Sequence, residues 1–277
     1  MTPRFYKFDS VIFEPHTIHY TEWGDKNNPP VVCVHGLTRN GRDFDYLAKE
    51  LSKEHLVICP DIPGRGSSDW LENKLLYNYD TYIRDMILFL DSQKLSNVKW
   101  VGTSMGGLIG MMIKAIRPDL IGKMVLNDIG PHIPLTALER ISRYVGMAPE
   151  FNSIEQAERH FRKAYAPFGI ISDADWRYFT IHSVMNHKDN IMIPAYDPAI
   201  AYIFAQVNDD VDLWSLWENI HGDFLVIRGL DSEILLADTA KKMQATKENI
   251  TLFEIENVGH APALMDEIQI KTIAEWL

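Results

Sequence analysis

Cysteine is nearly absent. The 277-residue chain holds two, Cys33 and Cys59, each inside an apolar, strand-like run. That rules out a scaffold stapled by several disulfides; two buried free thiols in a reducing compartment are expected, with a single Cys33–Cys59 disulfide as the alternative. Cations are also scarce: 27 Lys and Arg stand against 38 Asp and Glu, a formal net charge of −11 at pH 7. Such an excess of negative charge argues against nucleic acid and anionic membrane surfaces as partners. No apolar run reaches the length needed to span a bilayer, and the opening MTPRFYKFDS lacks the apolar stretch of a signal peptide. The expected location is therefore the cytoplasm, away from membranes. Repeats and low-complexity segments are lacking as well.

What is present centres on residues 97–115. Val98, Trp100 and Val101 form a short buried-strand pattern, and Leu108, Ile109, Met111, Met112 and Ile113 then recur at helical spacing. Between them sits Gly102-Thr103-Ser104-Met105-Gly106, followed by Gly107. A strand that turns so abruptly into a helix forces its central residue into a strained conformation, where neighbouring side chains would clash. Glycines at 102 and 106 remove those clashes and let Ser104 project from the sheet edge. The new helix offers free N–H groups and a positive dipole end at the same spot, which suits a nucleophile whose intermediate becomes an oxyanion. No lysine follows the glycines as a phosphate-binding loop requires, and the dinucleotide pattern G-x-G-x-x-G is missing here.

Along the chain, Phe5–Tyr20 alternates apolar and polar residues and reads as a hairpin ending near Trp23-Gly24-Asp25. Buried strands are expected at Val31–Val34, Leu56–Cys59, Lys123–Leu126, Phe224–Ile227 and Ile250–Ile255. Helices are expected at Asp43–Ser52, Tyr79–Leu90, Thr239–Thr246 and Leu264–Trp276. Buried strands alternating with amphipathic helices mean a mostly parallel sheet covered on both faces. One interval breaks the rhythm: roughly ninety residues separate the strands at Asn127 and Phe224, where a crossover needs a few tens. It carries its own helix signals. Ser153 with Gln156 precedes Ala157–Tyr165, Ser172 can cap Ala174–Asn186, and Asp197-Pro198 opens Ala199–Val207. Residues 131–211 thus read as a helical cap inserted in a core made of 1–130 and 212–277. Trp176, Phe179 and Tyr202 are its candidate pocket residues, while most of its aromatics form cap core.

A serine hydroxyl needs a base, commonly an imidazole oriented by a carboxylate. Of ten histidines, His260 has the context: Val258-Gly259-His260-Ala261-Pro262 is a loop after the last strand and before the last helix. Such a loop emerges at the same sheet edge as the elbow. Two acids compete. Asp231 follows the strand Phe224–Ile227 in a Gly229-x-Asp231 turn, 29 residues before His260, and is favoured. Asp128 ends the preceding strand and is the alternative; otherwise it is a turn or capping group before Gly130-Pro131. The oxyanion hole calls for two backbone donors, expected from Met105 and from Leu37 in His35-Gly36-Leu37.

With these residues in place, the chain resembles the α/β-hydrolase superfamily along nearly its whole length. The resemblance rests on His35-Gly36, Asp61-x-Pro63-Gly64-x-Gly66-x-Ser68-Asp69, Gly102-x-Ser104-x-Gly106-Gly107, Gly229-x-Asp231 and Gly259-His260, in that order. It implies an eight-stranded-type sheet with an inserted cap and a Ser-Asp-His triad. The activity implied is cleavage of an ester, thioester or lactone, without metal or organic cofactor; the partner is a small acyl substrate, and a homodimer is compatible. The Asp61-Pro63-Gly64 motif carries over as scaffold only. Serine at 104 excludes relatives with a nucleophilic Asp. The loop lacks H-G-G-G and H-G-G-P-G, so the chain looks most like the small bacterial carboxylesterase, lactonase and cofactor-free haloperoxidase branch. Carbon–carbon bond hydrolysis, perhydrolysis and a weakly catalytic ligand receptor on the same scaffold stay open as alternatives.

Overall fold

A computed structural model describes residues 1–9, 13–204 and 207–277. Its sheet is built from β1 (Thr2–Phe8), β2 (His16–Trp23), β3 (Pro30–Val34), β4 (Leu56–Pro60), β5 (Val98–Thr103) and β6 (Ile121–Asn127). The helices between them are α1 (Asp45–Leu51), α2 (Tyr79–Ser92) and α3 (Met105–Ile116). After β6 come β7 (His132–Ile133), α4 (Leu135–Ser142), α5 (Ile154–Ala164), α6 (Asp173–Ile181), β8 (Val184–Asn186), β9 (Met192–Pro194) and β10 (Val211–Asp212). The chain ends with α7 (Trp214–Asn219), β11 (Phe224–Gly229), α8 (Ala237–Thr246), β12 (Ile250–Ile255) and α9 (Glu267–Trp276). Eight strands form one sheet in the order β1-β2-β4-β3-β5-β6-β11-β12. Pairings β1–β2 and β2–β4 are antiparallel and the rest parallel, as the alternating pattern implied.

The continuous apolar runs have a physical cause, because both faces of the sheet are covered. Val32, Val34, Trp100 and Leu126 enter one core with Tyr82, Ile109 and Met243 of α2, α3 and α8. Their sequence neighbours Val31, Cys33, Val101 and Val125 enter the other core with Leu47 of α1 and Ile273 of α9. Burying each such side chain contributes about 1.5–3 kcal/mol. Cys33 and Cys59 are free thiols inside this second core.

The segment between β6 and β11 is pinned at its base, where Ile133 and His132 of β7 pair with Val211 and Asp212 of β10. It has a small core of its own: Phe151, Ala157, Phe161, Tyr165, Trp176 and Phe179. Ser153 caps α5 by accepting from the Gln156 N–H, and Ser172 caps α6 by accepting from that of Asp175. Two expectations change here. The helix expected to reach Asn186 stops at Ile181, and Val184–Asn186 instead pairs antiparallel with Met192–Pro194. Asp189 and Asn190, both at positive φ, supply the turn between those strands, a conformation these residue types tolerate. The expected helix Ala199–Val207 is a 3₁₀ turn over Pro198–Phe204, and Ala205 and Gln206 lie outside the described residues. At the start of the chain, β1 and β2 form the expected antiparallel pair, but it turns between Phe8 and His16, not at Trp23-Gly24-Asp25. Ser10, Val11 and Ile12 of that stretch lie outside the described residues. No helix among the described residues is long and apolar enough to cross a membrane.

Candidate active site

The elbow between β5 and α3 places Ser104 at φ 51°, ψ −114°, a left-handed backbone that side chains disfavour. Close packing explains the flanking glycines. A Cβ on Gly102 would stand 2.5 Å from the Gly107 nitrogen, and one on Gly106 would stand 2.0 Å from the Val34 carbonyl oxygen. The turn is held by its backbone: the Ser104 N–H donates to Asn127 O at 3.1 Å, and Ser104 O accepts from Gly107 and Leu108.

His260 arrives from the loop after β12, with Nε2 2.9 Å from Ser104 Oγ. Its other ring nitrogen, Nδ1, lies 2.7 Å from Oδ2 of Asp128, whose side chain is fully buried. The favoured acid, Asp231, is not brought to the imidazole; it is exposed, and only its backbone N–H reaches the histidine loop, donating to Val258 O at 3.0 Å. Gly229 has a different purpose from the one the motif suggested. A Cβ there would meet Val258 O at 2.4 Å and Gly259 O at 2.5 Å, so the glycine lets the histidine loop cross the end of β11. Asp128 sits at φ 55°, in a region that Asp tolerates better than most residues. Its Oδ1 accepts from the Gly229 N–H at 2.9 Å and its Oδ2 from Ser232 Oγ at 2.5 Å.

Two residues in this arrangement were not singled out from sequence. Ser232 is one of them. The other is Asn127, whose Nδ2 donates to Thr103 Oγ1 at 3.0 Å and to Pro262 O at 2.9 Å. It thereby ties the elbow and the histidine loop to the strand end that bears Asp128. No sequence motif marks either residue; Asn127 bonds Thr103 and Pro262, and Ser232 bonds Asp128, each 24 or more positions away.

Leu37 and Met105 both border the cavity beside Ser104 and His260. As the first residue of α3, Met105 has an N–H without an intrahelical acceptor. The peptide that carries the Leu37 N–H is fixed through its carbonyl, Gly36 O, which accepts from His35 Nδ1 at 2.7 Å and from the Arg39 N–H at 3.2 Å. His35 Nε2 accepts from the Ile62 N–H at 2.9 Å, so the neutral ring with its proton on Nδ1 fits both bonds. Burial agrees, holding the His35 pKa down to about 4 from the usual 6.5. A depressed histidine favours folding above its unfolded pKa and loses that contribution as pH falls from 6.5 toward 4. Between pH 7 and 4.5 the stability gap between wild type and His35→Gln should therefore narrow by about 2–3 kcal/mol, as read from urea unfolding. A gap that stays constant would show that His35 titrates normally.

Ser104 opens into a cavity of about 500 Å³. Its lining includes apolar side chains, Leu108 and Met112 of α3 with Leu138, Val145 and Phe204 of the inserted segment. It also includes Arg39, which pairs with Asp43, donates to Ser183 Oγ at 2.6 Å and lies 3.7 Å over the Phe179 ring. Of the three pocket aromatics expected, only Phe179 lines the cavity. Trp176 is buried within the inserted segment's own core, donating through Nε1 to Ile170 O, and Tyr202 is 55% exposed. Tyr165, Phe168 and Tyr178 line it instead. A helix face inferred from sequence does not say which neighbour that face meets.

Residues 29–266 match the family model for the alpha/beta hydrolase fold. The chain belongs to the α/β-hydrolase family. Its relatives in that family include a 3-hydroxybutyrate-oligomer hydrolase from Cupriavidus necator, 38% identical over 92% of this chain and 90% of that protein. Esterase YbfF from Escherichia coli is 27% identical over 69% of this chain and 82% of its own length. Among solved structures, an alpha/beta hydrolase from Novosphingobium aromaticivorans superimposes with a TM-score of 0.89 at 32% identity, covering 99% of this chain and 97% of that one. At family level, this α/β-hydrolase groups with proteins named as a hydrolase and an esterase.

Proposed function

We propose that this chain is a serine ester hydrolase that works through an acyl-enzyme on Ser104. The observation that carries the reading is the unbroken line of hydrogen bonds Asp128–His260–Ser104, ending at the cavity. His260 Nε2 takes the Ser104 proton as Oγ attacks the ester carbonyl, then returns it to the leaving alcohol. Asp128 holds the Nδ1–H tautomer and stabilises the imidazolium. The carbonyl oxygen gains its negative charge between the backbone N–H groups of Met105 and Leu37. Water, activated by the same imidazole, then hydrolyses the acyl-enzyme. Residues 131–211 serve as the cap that walls the cavity, with Phe179 facing substrate.

For the substrate we favour an ester of a short hydroxy acid, including its linear oligomers. Two facts support this: the name of the Cupriavidus relative, and a cavity whose lining joins apolar side chains to the Arg39–Asp43 ion pair. The test combines labelling with a panel. A fluorophosphonate should modify Ser104, located by peptide mass spectrometry. The purified protein should then cleave the linear dimer of 3-hydroxybutyrate faster than 4-nitrophenyl octanoate, by kcat/KM. A labelled protein that prefers the octanoate would overturn the substrate class alone. A chain that neither labels nor turns over any ester, thioester or lactone would instead be a ligand receptor.

A further inference from the structure

The motif Asp61-Ile62-Pro63-Gly64-Arg65-Gly66 was read from sequence as scaffold, yet its arginine has an unusual environment. Gly64 and Gly66 both adopt positive φ, 82° and 56°, and the Arg65 side chain between them is completely buried. Its Nε donates to Leu37 O at 2.8 Å, and one terminal nitrogen donates to Pro63 O at 2.7 Å and Tyr82 Oη at 2.8 Å. The other terminal nitrogen lies 3.6 Å from Met105 Sδ. Among the described residues none of these partners is a carboxylate. Asp61, the nearest acid in the motif, is occupied by the Gly41 and Ser67 N–H groups and by His19 Nδ1.

Burying a cation without a counter-charge is costly. The Tyr82 ring, 4.9 Å from the guanidinium carbon, offsets part of that cost. Methionine would fill much the same space without it. Two of the arginine's contacts, Leu37 and Met105, are the residues whose amides form the proposed oxyanion hole. We propose that Arg65 is a positioning residue for that hole. It pins the Leu37 carbonyl and the Met105 side chain from the buried side, and its charge, which no carboxylate contacts directly among the described residues, favours the negative charge developing on the substrate oxygen. This rests on the serine-hydrolase reading above.

An interaction of this kind acts in the transition state, so its loss should lower kcat and leave KM alone. In Arg65→Met, kcat for an ester should fall about 100-fold with KM within about twofold of wild type. Arg65→Lys keeps the charge but not the fork, and should fall about tenfold. The decisive readout is a trifluoromethyl ketone. Ser104 Oγ adds to its carbonyl carbon, the carbonyl electron pair moves to oxygen, and His260 takes the serine proton, leaving a stable oxyanion. Its affinity should drop in each variant by the same factor as kcat, which loss of packing alone would not produce. If Arg65→Met does not fold, Arg65→Lys decides. Folded variants with Ser104-dependent turnover and unchanged kcat overturn this proposal alone. Turnover that survives Ser104→Ala overturns the hydrolase reading and this proposal with it.

Discussion

Ser104→Ala should fold normally and lose about 10⁴-fold or more in kcat. The elbow is held by backbone bonds that alanine keeps: the N–H at 104 still donates to Asn127 O, and its carbonyl still accepts from Gly107 and Leu108. The left-handed backbone at 104 strains alanine no more than serine. Only the hydroxyl disappears, with its bond to His260, so the change in stability should be about 1 kcal/mol or less. Residual turnover would come from polarisation of the carbonyl at the proposed oxyanion-hole amides of Met105 and Leu37, which the substitution leaves untouched. The measurement is steady-state hydrolysis of a 4-nitrophenyl ester, with melting temperature as the folding control. Wild-type kcat in a folded Ser104→Ala protein would remove the nucleophile from the mechanism.

Much of this arrangement was legible in the chain because each part is a local event. The turn at Gly102–Gly106 and the buried runs of β3, β4 and β5 are written in consecutive residues, as is the loop that carries His260. The inserted helices were visible as surplus length and as Ser153 and Ser172 ahead of helical patterns. What failed was the choice of the acid, which depended on which strand neighbours which. Asn127 and Ile227 are paired across β6 and β11, so Asp128 and Asp231 leave the same sheet edge from adjacent strands. Moving the acid by one strand changes no local signal, and a Gly-x-Asp turn was available to mislead. The choice of aromatics in the inserted segment failed for a related reason. Trp176 and Phe179 share α6 and the same small core, yet only Phe179 also reaches the cavity. Ser232, Asn127 and Arg65 act through partners far away in sequence, so only the folded chain reveals them.

Asp128→Asn should lower kcat by about 10⁴-fold, while Asp231→Asn should stay within about twofold of wild type. The reason lies in what surrounds the carboxylate. All three of its partners donate: the Gly229 N–H to Oδ1, and Ser232 Oγ–H and His260 Nδ1–H to Oδ2. An amide offers one acceptor and one donor edge. With its NH₂ toward His260, the imidazole must move its proton to Nε2, and Ser104 loses its base. With its NH₂ toward Gly229, two donors face each other, and that orientation is disfavoured. The fold should survive, because asparagine is at ease at the positive φ of this position. Asp231 is exposed and its backbone N–H, not its carboxylate, meets the histidine loop, so an amide there changes little. Ser232→Ala supplies an intermediate case: it removes one donor to Oδ2 but leaves the tautomer intact, and should cost about tenfold or less in kcat. The check is kcat for all three variants on one ester at neutral pH. A folded Asp128→Asn enzyme that keeps its rate, or an Asp231→Asn enzyme that loses it, would return the acid's role to β11.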